Sequence, residues 1–136
     1  MKPTEPQSFP VRADVDVVAA RQAGRTLASE LGFKGTDLVL ITTAISELAR
    51  NILEYAQTGE ILLAEVLKEG RKGIRIVARD SGPGIPDIEL AMRDGYSTSR
   101  SLGLGLPGTR RLMEEFDIQS EVGKGTVVTT SRFLPR

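Results

Sequence analysis

The sequence predicts a two-layer α/β sandwich in which helices pack on one face of a mixed, mostly antiparallel sheet. Three observations predict it. Two segments in the first half carry apolar residues at helical spacing, and two turn-linked pairs of β-rich runs follow them. The 136 residues, 40% of them apolar, fill one core but not two, so residues 1–136 read as a single domain.

Met1 to Gln7 reads as a flexible head, polar and punctuated by Pro3 and Pro6. Ser8 to Asp14 is short and mixed, as an edge strand is. Asp16 is expected to cap a first helix, Val17 to Leu31, in which Val17, Val18, Ala20, Ala23, Gly24, Leu27 and Leu31 fall at helical spacing and Gly32 marks the stop. A second helix, Thr36 to Ala56, is the clearest: Leu38, Ile41, Ile45, Leu48, Ile52 and Tyr55 repeat every three or four residues and make one core-facing stripe. Ile61 to Leu67 and Gly73 to Arg79 are strands of a hairpin whose turn, Lys68 to Lys72, contains Gly70. Asp94 to Gly103 is rich in Gly and Ser and breaks the pattern. A third helix is expected over Leu106 to Phe116. Two last strands, Asp117 to Val122 and Thr126 to Leu134, are joined by Gly123-Lys124-Gly125.

Composition removes whole classes of function. Eighteen basic residues balance eighteen acidic ones with no block of one sign, so the basic field of a nucleic-acid binder is absent. There is no cysteine and no histidine, which excludes disulfides, His/Cys metal sites, histidine bases and an internal phosphohistidine. Carboxylates, hydroxyls, amides, Lys and Arg are left for chemistry. No apolar run approaches the length that spans a bilayer, so neither a membrane nor a nucleic acid is an expected partner and a cytoplasmic location is expected.

Four clusters carry chemistry. Glu47-Leu-Ala-Arg-Asn51 sits on the second helix; Glu47 and Asn51, four residues apart, share a flank beside the apolar stripe, and Arg50 is expected to point away. An Asn oxygen there can ligate Mg²⁺ and the Glu can take a proton from an attacking hydroxyl, although a solvated Glu with a tolerated Asn gives the same letters. Asp80-Ser-Gly-Pro-Gly84 leaves a strand: the carboxylate can accept from an exocyclic amino group such as that of adenine, and Gly82 and Gly84 admit a flat base, but an ordinary turn also reads this way. Gly103-Leu104-Gly105-Leu106 opens the third helix, where free N–H groups favour phosphate; a plain linker is the alternative. Gly123-Lys-Gly-Thr126 is by itself only a hairpin turn.

In this order the four patterns resemble the nucleotide-binding boxes of GHKL ATPases, whose members share the Bergerat ATP-binding fold. Within that superfamily almost the whole chain is similar to the small serine-protein kinases of bacterial stress-response switches, the stressosome switch and anti-sigma kinase type. The resemblance rests on Ile45-Ser-Glu-Leu-Ala-Arg-Asn-Ile52, Asp80-Ser-Gly-Pro-Gly-Ile-Pro-Asp87, Asp94-Gly-Tyr-Ser-Thr-Ser99 and Arg111-Leu-Met-Glu-Glu-Phe-Asp-Ile118. It departs at Tyr55, where many members carry His. The resemblance implies Glu47 as general base, Asn51 as Mg²⁺ ligand and Asp80 as adenine reader. It implies further that Gly82, Gly84 and Thr126 lie near adenine, that Gly103, Leu104, Gly105 and Leu106 lie near the phosphates, and that residues 87–102 form an ATP lid in which Ser97, Thr98, Ser99 and Arg100 can touch phosphate. The implied activity is transfer of phosphate from Mg·ATP to a Ser or Thr of a small STAS-domain antagonist protein. The kinase, once released, would activate a serine phosphatase through its regulatory domain. A nucleotide-gated anti-sigma binding module is the alternative. A histidine kinase is disfavoured by the absence of histidine.

Overall fold

Burial alternates along two central strands, and that alternation fixes which face of the sheet meets the helices. In the computed structural model, which describes residues 5–92 and 105–135, the elements run β1 (Gln7–Val11), α1 (Asp14–Leu31), α2 (Thr36–Tyr55), β2 (Gly59–Lys68), β3 (Arg71–Asp80), α3 (Ile88–Ala91), α4 (Gly105–Leu112), β4 (Glu115–Glu121) and β5 (Gly125–Phe133). Ile61 and Leu63 of β2 stand opposite Ala78 and Ile76 of β3, on the same face as Val128 and Thr130 of β5. All six are buried. The helices cover this face.

The strand order is β1-β2-β3-β5-β4, and every pairing is antiparallel. The parallel component of the expected mixed sheet is therefore absent among the described strands. Two hairpins account for this: β2–β3 and β4–β5 each reverse through a short turn, and β5 then lies antiparallel to β3. The β2–β3 turn places Glu69 at φ 52° and Gly70 at φ 78°, the left-handed pair that a two-residue hairpin turn needs to match the twist of its strands.

Helix α1 buries Val17, Ala20, Gly24 and Ala28, a stripe at spacings of three and four. Gly32 ends it at φ 115°, where the Gly32 N–H donates to Ser29 O and the Phe33 N–H to Ala28 O, and the buried Phe33 ring seals the stop. Asp16 is not the cap. The helix starts three residues earlier than expected, at Asp14, and the Asp16 carboxylate reaches back to the Arg12 and Ala13 N–H groups at 2.8 and 3.1 Å.

Helix α2 is the central element of the helical layer, with Ile41, Ile45 and Leu48 wholly enclosed. Each contributes about 2 kcal/mol of apolar burial. Helix α4 packs on α2 but stops at Leu112, four residues before the expected Phe116. Its continuation loses to strand pairing: the Glu114 N–H donates to Ser131 O and the Thr130 hydroxyl to Glu115 O, so β4 begins at Glu115 rather than Asp117. Arg132 closes the corner, donating to Leu112 O and to the Asp37 carboxylate at 2.8 and 2.9 Å.

Candidate functional site

The C-terminal half of α2, the end of β3 and the β4–β5 turn meet at one edge of the sandwich. Glu47 and Asn51 lie about one turn apart in the C-terminal half of α2. Glu47 is 2% exposed, and among the described residues its Oε2 has no hydrogen-bond partner; the Nδ2 of Asn51 is likewise buried and without one there. An unsatisfied buried polar atom costs about 1–3 kcal/mol. Two of them side by side in a well-packed helix mark a place prepared for something other than the fold.

Arg50 departs from expectation. Its guanidinium Nη1 turns back to Glu47 Oε1 at 3.3 Å, while the residue is 47% exposed.

Asp80 is the last residue of β3, registered between Gly59 on β2 and Thr126 on β5. Its Oδ1 accepts the Gly82 N–H at 2.9 Å, which folds residues 80–82 into a tight turn and leaves Oδ2 available. Gly82 is seated against the end of α2: a Cβ there would stand 2.5 Å from Ala56 Cβ. Gly84 sits at φ 79°, and a Cβ there would stand 2.4 Å from Glu121 O. Only glycine allows this loop to lie between the helix and the β4–β5 turn.

The turn holds the loop from its other side. The Gly123 N–H donates to Pro83 O at 2.8 Å, and the Ser120 hydroxyl accepts the Ile85 N–H at 2.7 Å. Ser120 Oγ is also 2.8 Å from Thr126 Oγ1 and 3.1 Å from Gly125 O. Ser120 thus ties the Asp80 loop to Thr126, and sequence reasoning missed it. Its only signal is a small polar residue on the helix-facing side of β4, six positions before Thr126.

The sequence-derived residues divide cleanly. Asp80, Gly82, Gly84 and Thr126 are brought together at this edge, against the end of α2, and Glu47 and Asn51 stand further back on the same helix. Gly105 and Leu106 open α4, with Leu106 half-buried against the core and Pro107 in the first turn. Gly103 and Leu104 lie outside the described residues, as do Ser97, Thr98, Ser99 and Arg100 and most of the 87–102 segment, of which α3 is the described start. Tyr55 lies one turn beyond Asn51 and is half-exposed.

The donor set suits a hard, water-retaining cation better than a protein-caged one. No group of three or more Asp, Glu, His or Cys side chains able to hold a metal occurs among the described residues. A lone amide with a buried, unpartnered end fits Mg²⁺, which takes one or two protein oxygens and keeps its waters; the amide can turn its oxygen inward, since oxygen and nitrogen are alike in shape.

Comparison with known proteins places the fold in a family. Residues 36–136 match the family described as histidine kinase-, DNA gyrase B- and HSP90-like ATPases. The chain is 53% identical to the serine/threonine-protein kinase RsbT of Bacillus subtilis, over 91% of this chain and 93% of that one. It is 28% identical to the anti-sigma F factor of Caldanaerobacter subterraneus, over 86% and 85%. Among solved structures, 96% of the chain superposes with TM-score 0.63 and 25% identity on a Mycobacterium tuberculosis protein of RsbU and RsbW domains, and spans 32% of that chain. The catalytic domain of the histidine kinase ThkA shares the fold, with TM-score 0.54, 16% identity and 96% coverage of both chains.

Proposed function

Since the chain belongs to the histidine kinase-, DNA gyrase B- and HSP90-like ATPase family, we propose that it is an ATP-dependent serine/threonine protein kinase acting in a bacterial stress-response partner switch. The observation that carries this reading is the pair of buried atoms, Glu47 Oε2 and Asn51 Nδ2, that find no partner among the described residues of the helix whose end seats the Asp80 loop. Asp80 Oδ2 accepts the exocyclic amine of adenine, Gly82 and Gly84 flank the base, and Thr126 completes the pocket. Gly105 and Leu106 meet the phosphates at the start of α4, within a single kinase domain. Asn51 holds Mg²⁺, which when bound shields phosphate charge. Glu47 Oε2 accepts the proton of the acceptor hydroxyl as its oxygen bonds to the γ-phosphorus and the bond to ADP breaks. Phosphoryl transfer asks for positioning and charge stabilisation more than covalent chemistry, and these residues supply both.

The acceptor is a STAS-domain protein, and a serine phosphatase is the second partner, reached through its regulatory domain. The similarity to the kinase RsbT and to an anti-sigma F factor supports partner-switch interactions of this kind. No described helix is long and apolar enough to cross a membrane, and a cytoplasmic site of action fits an ATP-consuming switch. A nucleotide-gated anti-sigma module is the second reading, favoured by the anti-sigma F likeness; the much higher identity to a kinase places it behind.

The test is label transfer from γ-labelled Mg·ATP into proteins that this chain captures from its own cell extract, with Glu47→Ala as control. The kinase reading expects one small labelled partner with the wild type alone, and ATP binding retained in the variant. Transfer undiminished in Glu47→Ala overturns the assignment of the base.

A further inference from the structure

Arg50 has no part in the mechanism so far. At about 100° per residue Arg50, three residues on, stands only about 60° from Glu47, so its side chain reaches the base across one turn. The contact is monodentate and selective. Nη1 meets Oε1 at 3.3 Å, whereas Oε2 of the same carboxylate is buried and has no partner among the described residues. One end of the guanidinium reaches a residue that is 2% exposed, while Arg50 itself stays 47% exposed.

We infer that Arg50 is a positioning residue for phosphoryl transfer: by holding Oε1 of Glu47 it fixes the carboxylate so that Oε2 faces the acceptor hydroxyl. The inference rests on Glu47 being the base. A carboxylate free to rotate about its side-chain torsions presents either oxygen in several directions, and tethering one oxygen removes that freedom. The Arg cation also compensates a charge taken out of water, which a neutral donor does less well. A Glu three residues before an Arg is a favourable helix pair, so the contact forms within α2 and does not depend on the partner protein.

The experiment measures transfer of label from γ-labelled Mg·ATP to a purified STAS-domain acceptor by wild type, Arg50→Ala, Arg50→Lys, Glu47→Ala and the Arg50→Ala/Glu47→Ala double variant. Arg50→Ala is expected to lower kcat by about 10- to 100-fold, the scale of a misplaced catalytic group, with KM for ATP and acceptor within about twofold. Arg50→Lys restores a cation within reach and recovers a large part of the loss. In the Glu47→Ala background the Arg50 substitution has no further effect, because there is nothing left to position. An unchanged kcat in Arg50→Ala overturns the inference, as does a raised KM for acceptor with kcat intact, which makes Arg50 a docking residue. A loss that persists in the Glu47→Ala background overturns it too. Should Arg50→Ala not fold, the comparison of Arg50→Lys with Arg50→Met decides. Wild-type transfer by Glu47→Ala removes the base itself, an outcome separate from any result at Arg50.

Discussion

Replacing Gly84 with alanine probes the clamp that shapes the proposed adenine pocket. Two costs are readable from the structure. At φ 79° an alanine occupies the left-handed region, at about 1–2 kcal/mol. Its Cβ would stand 2.4 Å from Glu121 O, against the 3.4 Å at which ordinary contact begins, so the loop must back away by 1.0 Å, the difference of the two. A shift of that size takes the Gly123 N–H to Pro83 O bond, now 2.8 Å, out of range and forfeits roughly 1 kcal/mol more. The sum is about 2–3 kcal/mol, charged against the docked loop alone. If the free protein lets the loop undock, the cost falls on nucleotide binding and weakens ATP affinity by roughly 30- to 150-fold, since 1.4 kcal/mol is tenfold. If the loop stays docked, thermal stability carries the cost, at about 4 °C per kcal/mol. Calorimetric titration with Mg·ATP and thermal unfolding, run on the same preparation, read both. Wild-type affinity together with wild-type Tm would refute the argument.

Two further expectations concern carboxylates. Asp80→Asn keeps an oxygen to accept the Gly82 N–H, so the turn survives, but it sets a donor where an incoming amine needs an acceptor. ATP affinity should fall by about 10- to 100-fold with Tm nearly unchanged, and unaltered affinity counts against Asp80 as the adenine reader. In acid, Glu60 and Glu114 set part of the stability. Hydrogen bonds from Ser8 and then Arg79 hold the Glu60 carboxyl below its ordinary 4.5. Burial pushes Glu114 up, but the Arg71 guanidinium and the Phe133 N–H outweigh it and leave it lowered. Both folded pKa values are depressed, so their contribution is full above pH 4.5 and is lost as the pH falls below it. Acid unfolding followed by circular dichroism should therefore be shallower in Glu114→Gln than in wild type, and superimposable curves argue against the Arg71 contact.

The sequence by itself determined the elements and on which of them the candidate residues stand. The apolar repeat from Leu38 to Ile52 specifies α2, because only a helix gathers those side chains on one face, and the same arithmetic sets Glu47 and Asn51 on its flank. Alternation and the Glu69-Gly70 turn specify the β2–β3 hairpin. Tertiary structure alone decided what depends on groups distant in the chain. Glu114 and Glu115 are good helix formers, yet hydrogen bonds with Thr130 and Ser131 draw them toward the sheet and end α4 early. Ser120 acquires its role from Ile85, 35 residues away, through a hydroxyl that no periodicity singles out. Arg50 shows both sides: three residues after Glu47 it can pair with it by helical phase alone, but the packing that buries Glu47 decides that Nη1 meets Oε1 and leaves Oε2 over.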